Sequence, residues 1–464
     1  MPLLFVIRNK SKAQAFLLSY LTGVIFWSVT VYWLVHVTLP GTIILILYLA
    51  LYFGIFGLMF SAIPYPLSPI RPFIFFPSAW VLLEYARSHL LTGFPWALLG
   101  YSQYLNLPVI QIADITGVWG VSFLVMMGNV LIYSVASRQS PVTEKMNKMV
   151  LPVLTIIVTL TYGNYQIHRR QETGDRRPIK ISVIQGNIPQ ELKWETEAAA
   201  FIVEKYSQLS KEAARDKPDL IIWPEASSPG VLGEDTLIFE DIFSLAKTIK
   251  LPLLIGSVSK KNEEYFNSAL LIDSSGKITE SYDKIHLVPF GEYVPFKKLL
   301  PFLKTLVPIG DIAAGEGYSI FKIPPQNTFS VLICFEDLFP EISREFVKRG
   351  AGFLINITND AWYKKTAAAY QHFQASVFRA VENRVFLLRS ANTGVSGFIY
   401  PTGKIISLVQ DKQKENIFVD GFDTQEIISH KTNLAFYTKY GDIFPYTCLL
   451  LLLCVITARF FKKR

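Results

Sequence analysis

Three side chains, Glu225, Lys284 and Cys334, have the types and local settings for joint chemistry. Glu225 closes the run Leu-Ile-Ile-Trp-Pro-Glu, and Cys334 follows Ser-Val-Leu-Ile. Both are short apolar stretches that read as buried strands, and reactive groups gather just past the C-terminal ends of such strands. Lys284 opens Lys-Ile-His-Leu-Val-Pro-Phe-Gly-Glu-Tyr-Val-Pro, after a hairpin-like stretch around 273–277. A thiol, a carboxylate and an ammonium divide the work of acyl transfer: Cys334 attacks a carbonyl, Glu225 handles the protons, and Lys284 stabilises the oxyanion. Ordinary thiol and glutamate acidities differ by about four pKa units, or about 6 kcal/mol against proton transfer. The site therefore has to be partly dry, with Lys284 favouring the thiolate.

The elements that must position these groups lie between Arg169 and Lys439, where short β-branched runs alternate with longer polar segments of helical period. That is the pattern of an α/β domain. Strands are expected at 179–185, 220–223, 251–257, 268–272, 330–333, 353–357, 385–389, 397–400 and 416–419. Helices are expected at 195–216, 236–249, 340–349 and 367–382.

Outside that stretch the chain is apolar. Hydrophobic residues make up 51% and charged residues 18% of 464, more apolar than a soluble globular protein. A spanning helix needs roughly 20 apolar residues, and runs of that kind fall at 13–37, 43–62, 73–91, 108–135, 150–167 and 446–461. Arg8, Lys10 and Lys12 precede the first run, and Arg71 lies between the second and third. Arg138, Lys145 and Lys148 lie between the fourth and fifth, and Arg459, Lys462, Lys463 and Arg464 end the chain. The alternate connections, 39–42 and 92–107, carry no Lys or Arg. Basic residues collect on the cytoplasmic side, which places the α/β domain outside. The expected organisation is a transmembrane domain over 1–167 with about five spans, an external catalytic domain over 168–440, and a last span with a basic cytoplasmic tail over 441–464. No small-residue cleavage site follows a short apolar core near the start, so the first span is expected to direct insertion.

The net charge of +8 is dispersed over span ends and forms no nucleic-acid-binding face. Cys448 and Cys454 sit in the last apolar run, so the three cysteines give no disulfide framework. Cys334 is left as a free thiol in an oxidising compartment, which favours function over packing. The six histidines lack metal-ligand spacing, and His286 and His372 read as structural.

Several stretches carry a family likeness. They are Leu-Thr-Gly-Phe-Pro-Trp and Gly-Tyr-Ser-Gln within Leu91 to Gln103, Gln-Gly-Asn-Ile-Pro-Gln-Glu-Leu-Lys-Trp from Gln185 to Trp194, Trp-Pro-Glu ending at Glu225, Lys284 to Pro295, and Cys334 with Glu336. In this order, interleaved with apolar spans, they make the chain resemble the carbon–nitrogen hydrolase (nitrilase) superfamily. Over nearly its whole length it is similar to the membrane-bound apolipoprotein N-acyltransferase family within it. The resemblance implies an α-helical membrane domain plus an α/β domain, the latter a nitrilase-like four-layer α-β-β-α sandwich on the periplasmic side of a bacterial inner membrane. It also implies that the family's Glu-Lys-Cys triad falls on Glu225, Lys284 and Cys334. The reaction implied is ping-pong: a phospholipid acylates the cysteine, lysophospholipid leaves, and the amine of a diacylglyceryl-cysteine lipoprotein takes the chain as an amide. No metal or organic cofactor is implied.

The resemblance also singles out Glu292, which would either fix Lys284 or hold the attacking amine, and Trp194, a loop tryptophan that would line an acyl pocket. Glu336 follows the nucleophile by two residues. For these three the plainer alternative is a purely structural one, since such residues often only pack or pair. Phe335 stands where the family often has tyrosine, so a hydroxyl role there is absent or supplied elsewhere. The family usually has eight spans, and Pro2 to Arg8 reads as the end of a second one, so either the start is misassigned or this member lacks an N-terminal pair; loss of two helices leaves the orientation unchanged.

The segment Tyr293 to Ala314 is expected to be a lid dipping into lipid or a packed loop, and Trp362 with Tyr363 invites the same two readings. Glu84, Arg87 and Asp114, in or near spans, should face a protein or aqueous interior, with Glu84 and Arg87 paired. A membrane-anchored amidase or nitrilase acting on a small-molecule C–N bond is the rival enzyme, because the triad alone does not choose between water and an amine. A transporter or assembly factor with a degenerate domain is the rival from another class, and an intact triad disfavours it.

Overall fold

The computed structural model describes residues 2–62, 71–136, 142–169, 178–293, 312–429 and 433–460, without the side chains of 62, 142–148, 194, 196 and 458–460. The chain divides into two compact units, Met1–Gln171 with Ala435–Arg464, and Glu172–Leu434.

In the first unit, four helices among the described residues are long and apolar enough to cross a membrane: Lys12–Thr30, Leu39–Ser61, Val118–Ala136 and Met149–Arg169. The other two expected spans take a different form. Ile443–Thr457 is a shorter apolar helix, and Arg71–His89 is helical but carries buried Glu84 and Arg87. Both charges are spent on the 94–99 loop. The Glu84 carboxylate accepts from the Trp80 indole at 3.0 Å and the Leu99 amide at 2.7 Å. Arg87 donates to the carbonyls of Phe94 and Trp96 at 2.7 and 2.8 Å and lies over the Trp27 ring. Asp114 accepts from the Tyr162 hydroxyl at 2.8 Å. The run expected as one span over 108–135 is broken. Two short helices, Leu107–Ile110 and Ala113–Thr116, lead to a turn at Gly117 with φ +64 before Val118–Ala136 begins. A side chain there would also meet the Tyr437 ring at 2.7 Å, so only glycine fits.

In the second unit, one sheet holds β1 (Ile179–Gln185), β2 (Leu220–Ile222), β3 (Val231–Leu232), β4 (Leu253–Lys261), β5 (Glu264–Ile272), β6 (Ile278–Asp283) and β13 (Gly421–Ile427). The other holds β7 (Phe321–Ile323), β8 (Asn327–Ile333), β9 (Phe353–Thr358), β10 (Leu387–Ala391), β11 (Gly397–Ile399) and β12 (Ile405–Leu408). Their orders are β13-β1-β2-β4-β5-β6, with β3 on β4, and β12-β11-β10-β9-β8-β7. The sheets lie face to face: the Ser390 hydroxyl on β10 donates to the Ile184 carbonyl on β1 at 2.7 Å. Helices Ala199–Ala213 and Thr236–Ile249 bury their apolar faces on the first sheet. Pro340–Lys348 and Ala368–Asn383 cover the second. The result is a four-layer α-β-β-α sandwich. Strands covered on both faces need no polar side, which is why β2 is apolar throughout and why β9, wholly buried, is apolar except for Asn356 and Thr358.

One expected strand is corrected. Residues 416–419 are irregular, with Phe418 at φ +55, and the carbonyls of Asn416 and Val419 accept from the Gln185 side chain instead. The antiparallel partner of β1 is β13, whose Thr-Gln-Glu stretch has a weak strand signature. The helix expected over 195–216 is Ala199–Ala213 with short 3-10 turns at either end.

Candidate active site

Glu225 and Lys284 ride on one sheet and Cys334 on the other. Trp223 and Pro224 carry the chain from β2 to Glu225, with Trp223 stacked on Tyr206 at 4.9 Å and its indole donating to Ser210 at 2.8 Å. Pro224 cannot continue a ladder, and Ala226 turns left-handed at φ +46. Gly256 on β4 makes the room: a Cβ there would lie 2.5 Å from the Pro224 oxygen and 2.6 Å from the Glu225 Cα. Lys284 directly follows β6, and its amide donates to the Asn267 carbonyl at 2.8 Å. Cys334 directly follows β8 and begins a 3-10 turn, Cys334–Leu338, at φ +52. That strained value lifts the side chain out of the strand at the sheet end.

The carboxylates and the ammonium form one connected cluster of hydrogen bonds and ion pairs. Asn267 Nδ2 donates to Glu225 Oε1 and to Glu292 Oε1, each at 2.8 Å. Lys284 Nζ lies 2.8 Å from Glu292 Oε2 and 3.9 Å from Glu225 Oε1. The Val288 amide also donates to Glu292 at 2.8 Å. Glu292 thus lies in direct contact with Lys284.

Lys284 is 1% exposed. Burial opposes its charge, but Glu292, Cys334 and Glu225 outweigh that and hold it well above the ordinary lysine value. Cys334 is enclosed by protein while its side chain keeps partial access. Burial, and next the charge of Glu225, push its thiol well above the ordinary cysteine range. Lys284 pulls the other way, as expected from the sequence, without prevailing. Cys334 therefore rests as a thiol, and an attack by its sulfur would require that proton to leave at the same time.

Glu336 is wholly buried and couples the two reactive loops. Its Oε1 accepts from the Tyr282 hydroxyl at 2.8 Å and from the amides of Ile285 and His286 at 2.8 and 3.2 Å. Its Oε2 accepts from the Ile333 amide at 2.8 Å. Burial raises it to about 7, against the pull of these donors and Lys284. Phe335 packs on Phe339 at 5.3 Å, and His286 lies on Phe339 at 3.7 Å, an apolar wall with no hydroxyl. Trp194 ends the 3-10 turn Gln190–Trp194, and its side chain lies outside the described residues, as do 294–311 of the expected lid. Trp362 is 47% exposed, and Tyr363 is close enough to Cys334 for that charge, after burial, to raise its phenol.

Sequence reasoning missed a charged bracket beneath Cys334. Asn356 Nδ2 donates to the carbonyls of Leu332 and Cys334, both at 3.1 Å, and its Oδ1 accepts from Arg389 at 2.6 Å. Arg389 also reaches Asp337 at 2.9 Å and Asp360 at 3.2 Å, and His372 joins the same two carboxylates at 2.8 and 2.9 Å. Burial disfavours the His372 charge, but Asp337 foremost raises it to about 9. Polar residues inside apolar strands, Asn356 in Leu-Ile-Asn-Ile and Arg389 in Leu-Leu-Arg-Ser, are the signal that would have found it. Asn267 and Lys193 were missed as well. Among the described residues no cluster of His, Cys, Asp and Glu is arranged to hold a metal ion. A thiol beside a carboxylate and a fixed ammonium is an arrangement for covalent acyl transfer.

Residues 1–131 match the apolipoprotein N-acyltransferase N-terminal domain, and residues 180–431 match the carbon-nitrogen hydrolase family. Among curated proteins, the apolipoprotein N-acyltransferase of Geobacter metallireducens is 37% identical over 97% of this chain and 87% of its own length. Apolipoprotein N-acyltransferase 2 of Treponema denticola is 33% identical, covering 85% of this chain and 78% of its own. The apolipoprotein N-acyltransferase of Haemophilus influenzae is 31% identical, covering 87% and 80%.

Proposed function

This chain belongs to the apolipoprotein N-acyltransferase family, and on that premise we propose that it transfers a fatty acyl chain from a phospholipid, through a thioester on Cys334, to the N-terminal amine of a diacylglyceryl-cysteine apolipoprotein. The observation that carries this reading is the reach of the likeness, which extends over 97% of the chain, helical unit and sandwich alike. A small-molecule amidase would share the match over 180–431 but gives no reason for the match over 1–131.

In the first half-reaction Glu225 takes the thiol proton as Cys334 attacks the ester carbonyl. Lys284, anchored by Glu292, faces the developing oxyanion. The lysophospholipid alkoxide leaves with the proton from Glu225. In the second half-reaction the neutral amine attacks the thioester and gives a proton to Glu225, and the expelled thiolate recovers that proton. The fixed partners of Glu225 and Lys284 support these roles. Purified enzyme incubated with phosphatidylethanolamine should gain one acyl chain in intact mass, located on Cys334, with release of lysophospholipid. A mass unchanged under turnover conditions would remove the thioester.

The protein is membrane-associated, and we place it in a bacterial inner membrane with the sandwich in the periplasm. The clustering of Lys and Arg at alternate connections supports that orientation. A phosphatase reporter inserted near Gly174 should be active outside the cytoplasm; activity only of a cytoplasmic reporter at that point would reverse the orientation.

A further inference from the structure

Lys193 is a buried cation that none of these steps uses. It is 3% exposed, and its ammonium donates to the carbonyls of Glu225 and Ala226, each at 3.1 Å. Ala226 is left-handed at φ +46, a strained setting for a residue with a Cβ that persists only where its surroundings hold it. Lys193 belongs to the 3-10 turn Gln190–Trp194. The near end of that turn is fixed differently: Asn359 Nδ2 donates to Gln190 Oε1 at 2.7 Å. Just before it, the amides of Asn187 and Ile188 donate to Asn392, at its carbonyl and side-chain oxygens, at 2.8 and 2.9 Å. Asn359 directly follows β9 and Asn392 directly follows β10, both in the sheet that carries Cys334. Glu225 belongs to the other sheet. The segment 187–194 is thus a strap across the two sheets at the reactive end, with Lys193 as its attachment to the base.

We propose that Lys193 is a positioning residue for acyl transfer: it pins the strained turn behind Glu225 to this strap, so that the base is in register with Cys334 only while the strap spans both sheets. The inference rests on the role of Glu225 as the base. An ammonium suits the task because it can serve two main-chain carbonyls with two of its three protons. The titratable groups that act on it are Glu225 and Cys334, and burial lowers it to about 8 against their pull. Loss of its proton in alkaline solution therefore weakens the pin.

The test uses full-length enzyme and the rate of acyl-adduct formation on Cys334 from phosphatidylethanolamine, with thermal melting to confirm folding. Lys193→Met should lower the limiting rate by about 10²-fold, the loss typical of a misplaced reactive group, and leave the half-saturating donor concentration unchanged. Lys193→Arg should restore most of the rate and move the alkaline limb of the pH profile upward, because a guanidinium keeps its charge. Gln190→Leu, which removes the tie from Asn359 of the other sheet to the turn that carries Lys193, should reproduce the defect, and combining it with Lys193→Met should add little. A wild-type limiting rate in Lys193→Met, or a loss confined to donor affinity, would overturn the proposal. Full additivity of the two substitutions would do the same. Failure of the wild-type enzyme to form an adduct would sink the proposed function, and this inference with it.

Discussion

Cys334→Ala should form no acyl-enzyme, and Cys334→Ser should fall by at least about 10⁴-fold in acyl transfer, as removal of a nucleophile does in other covalent catalysts. The reason lies in the resting state of the site. Burial and the neighbouring Glu225 already hold the Cys334 thiol above its ordinary range, so attack depends on concerted removal of the proton. A serine hydroxyl is far less acidic than a thiol, and the carboxylate that serves the thiol cannot serve it. The bracket behind residue 334 binds main-chain atoms, with Asn356 on two carbonyls, so either substitution should leave the turn intact. The check is intact mass after incubation with phospholipid, beside a melting curve. Adduct formation at the wild-type rate by Cys334→Ala would show that the nucleophile lies elsewhere.

Glu225→Gln should lower both half-reactions by about 10³-fold, within the usual range for loss of a general base. The substitution is nearly isosteric. An amide oxygen can still accept from Asn267 Nδ2, as Glu225 Oε1 does at 2.8 Å, so position is kept while proton transfer and the negative charge beside Cys334 and Lys284 are lost. Acyl-adduct formation and amine-dependent discharge of a preformed adduct should therefore fail together. A defect in one half-reaction alone, measured by single turnover, would show that a second group handles the other proton.

Glu225 and Cys334 were legible as candidates because each lies just past a strand whose apolar run is plain in the chain, whereas Lys284 follows β6, whose Ile-Thr-Glu-Ser-Tyr-Asp run is mostly polar, and stood out only by the segment it opens. Strands such as β1 and β9 are covered on both faces and advertise themselves. β13 did not: it has one neighbour, β1, along the sheet edge, and its partly exposed side chains are largely polar, so pairing rather than composition makes it a strand. The break at Gly117 was hidden because apolar residues continue through it and only the backbone angle marks the turn. Glu292 could be matched but not assigned from sequence. Its contact with Lys284 depends on how the Val288 amide and Asn267 turn the carboxylate. Of the bracket under Cys334 only Asn356 and Arg389, polar residues in apolar strands, leave a signal in the chain: Asp337, Asn356, Asp360, His372 and Arg389 come from separate elements, and the pairing of β8, β9 and β10 brings them together.

The central claim is that an amine, and not water, accepts the acyl chain from Cys334. The direct measurement is to load the enzyme with labelled phospholipid, remove excess donor, and divide the acyl-enzyme between buffer and a diacylglyceryl-cysteine peptide. A thioester on Cys334, enclosed by protein and next to buried Phe335, should be slow to meet water. The account predicts that label persists on the protein in buffer and passes to the peptide as an amide. Rapid release of free fatty acid in buffer, with no amide formed when peptide is added, would contradict it and leave a hydrolase.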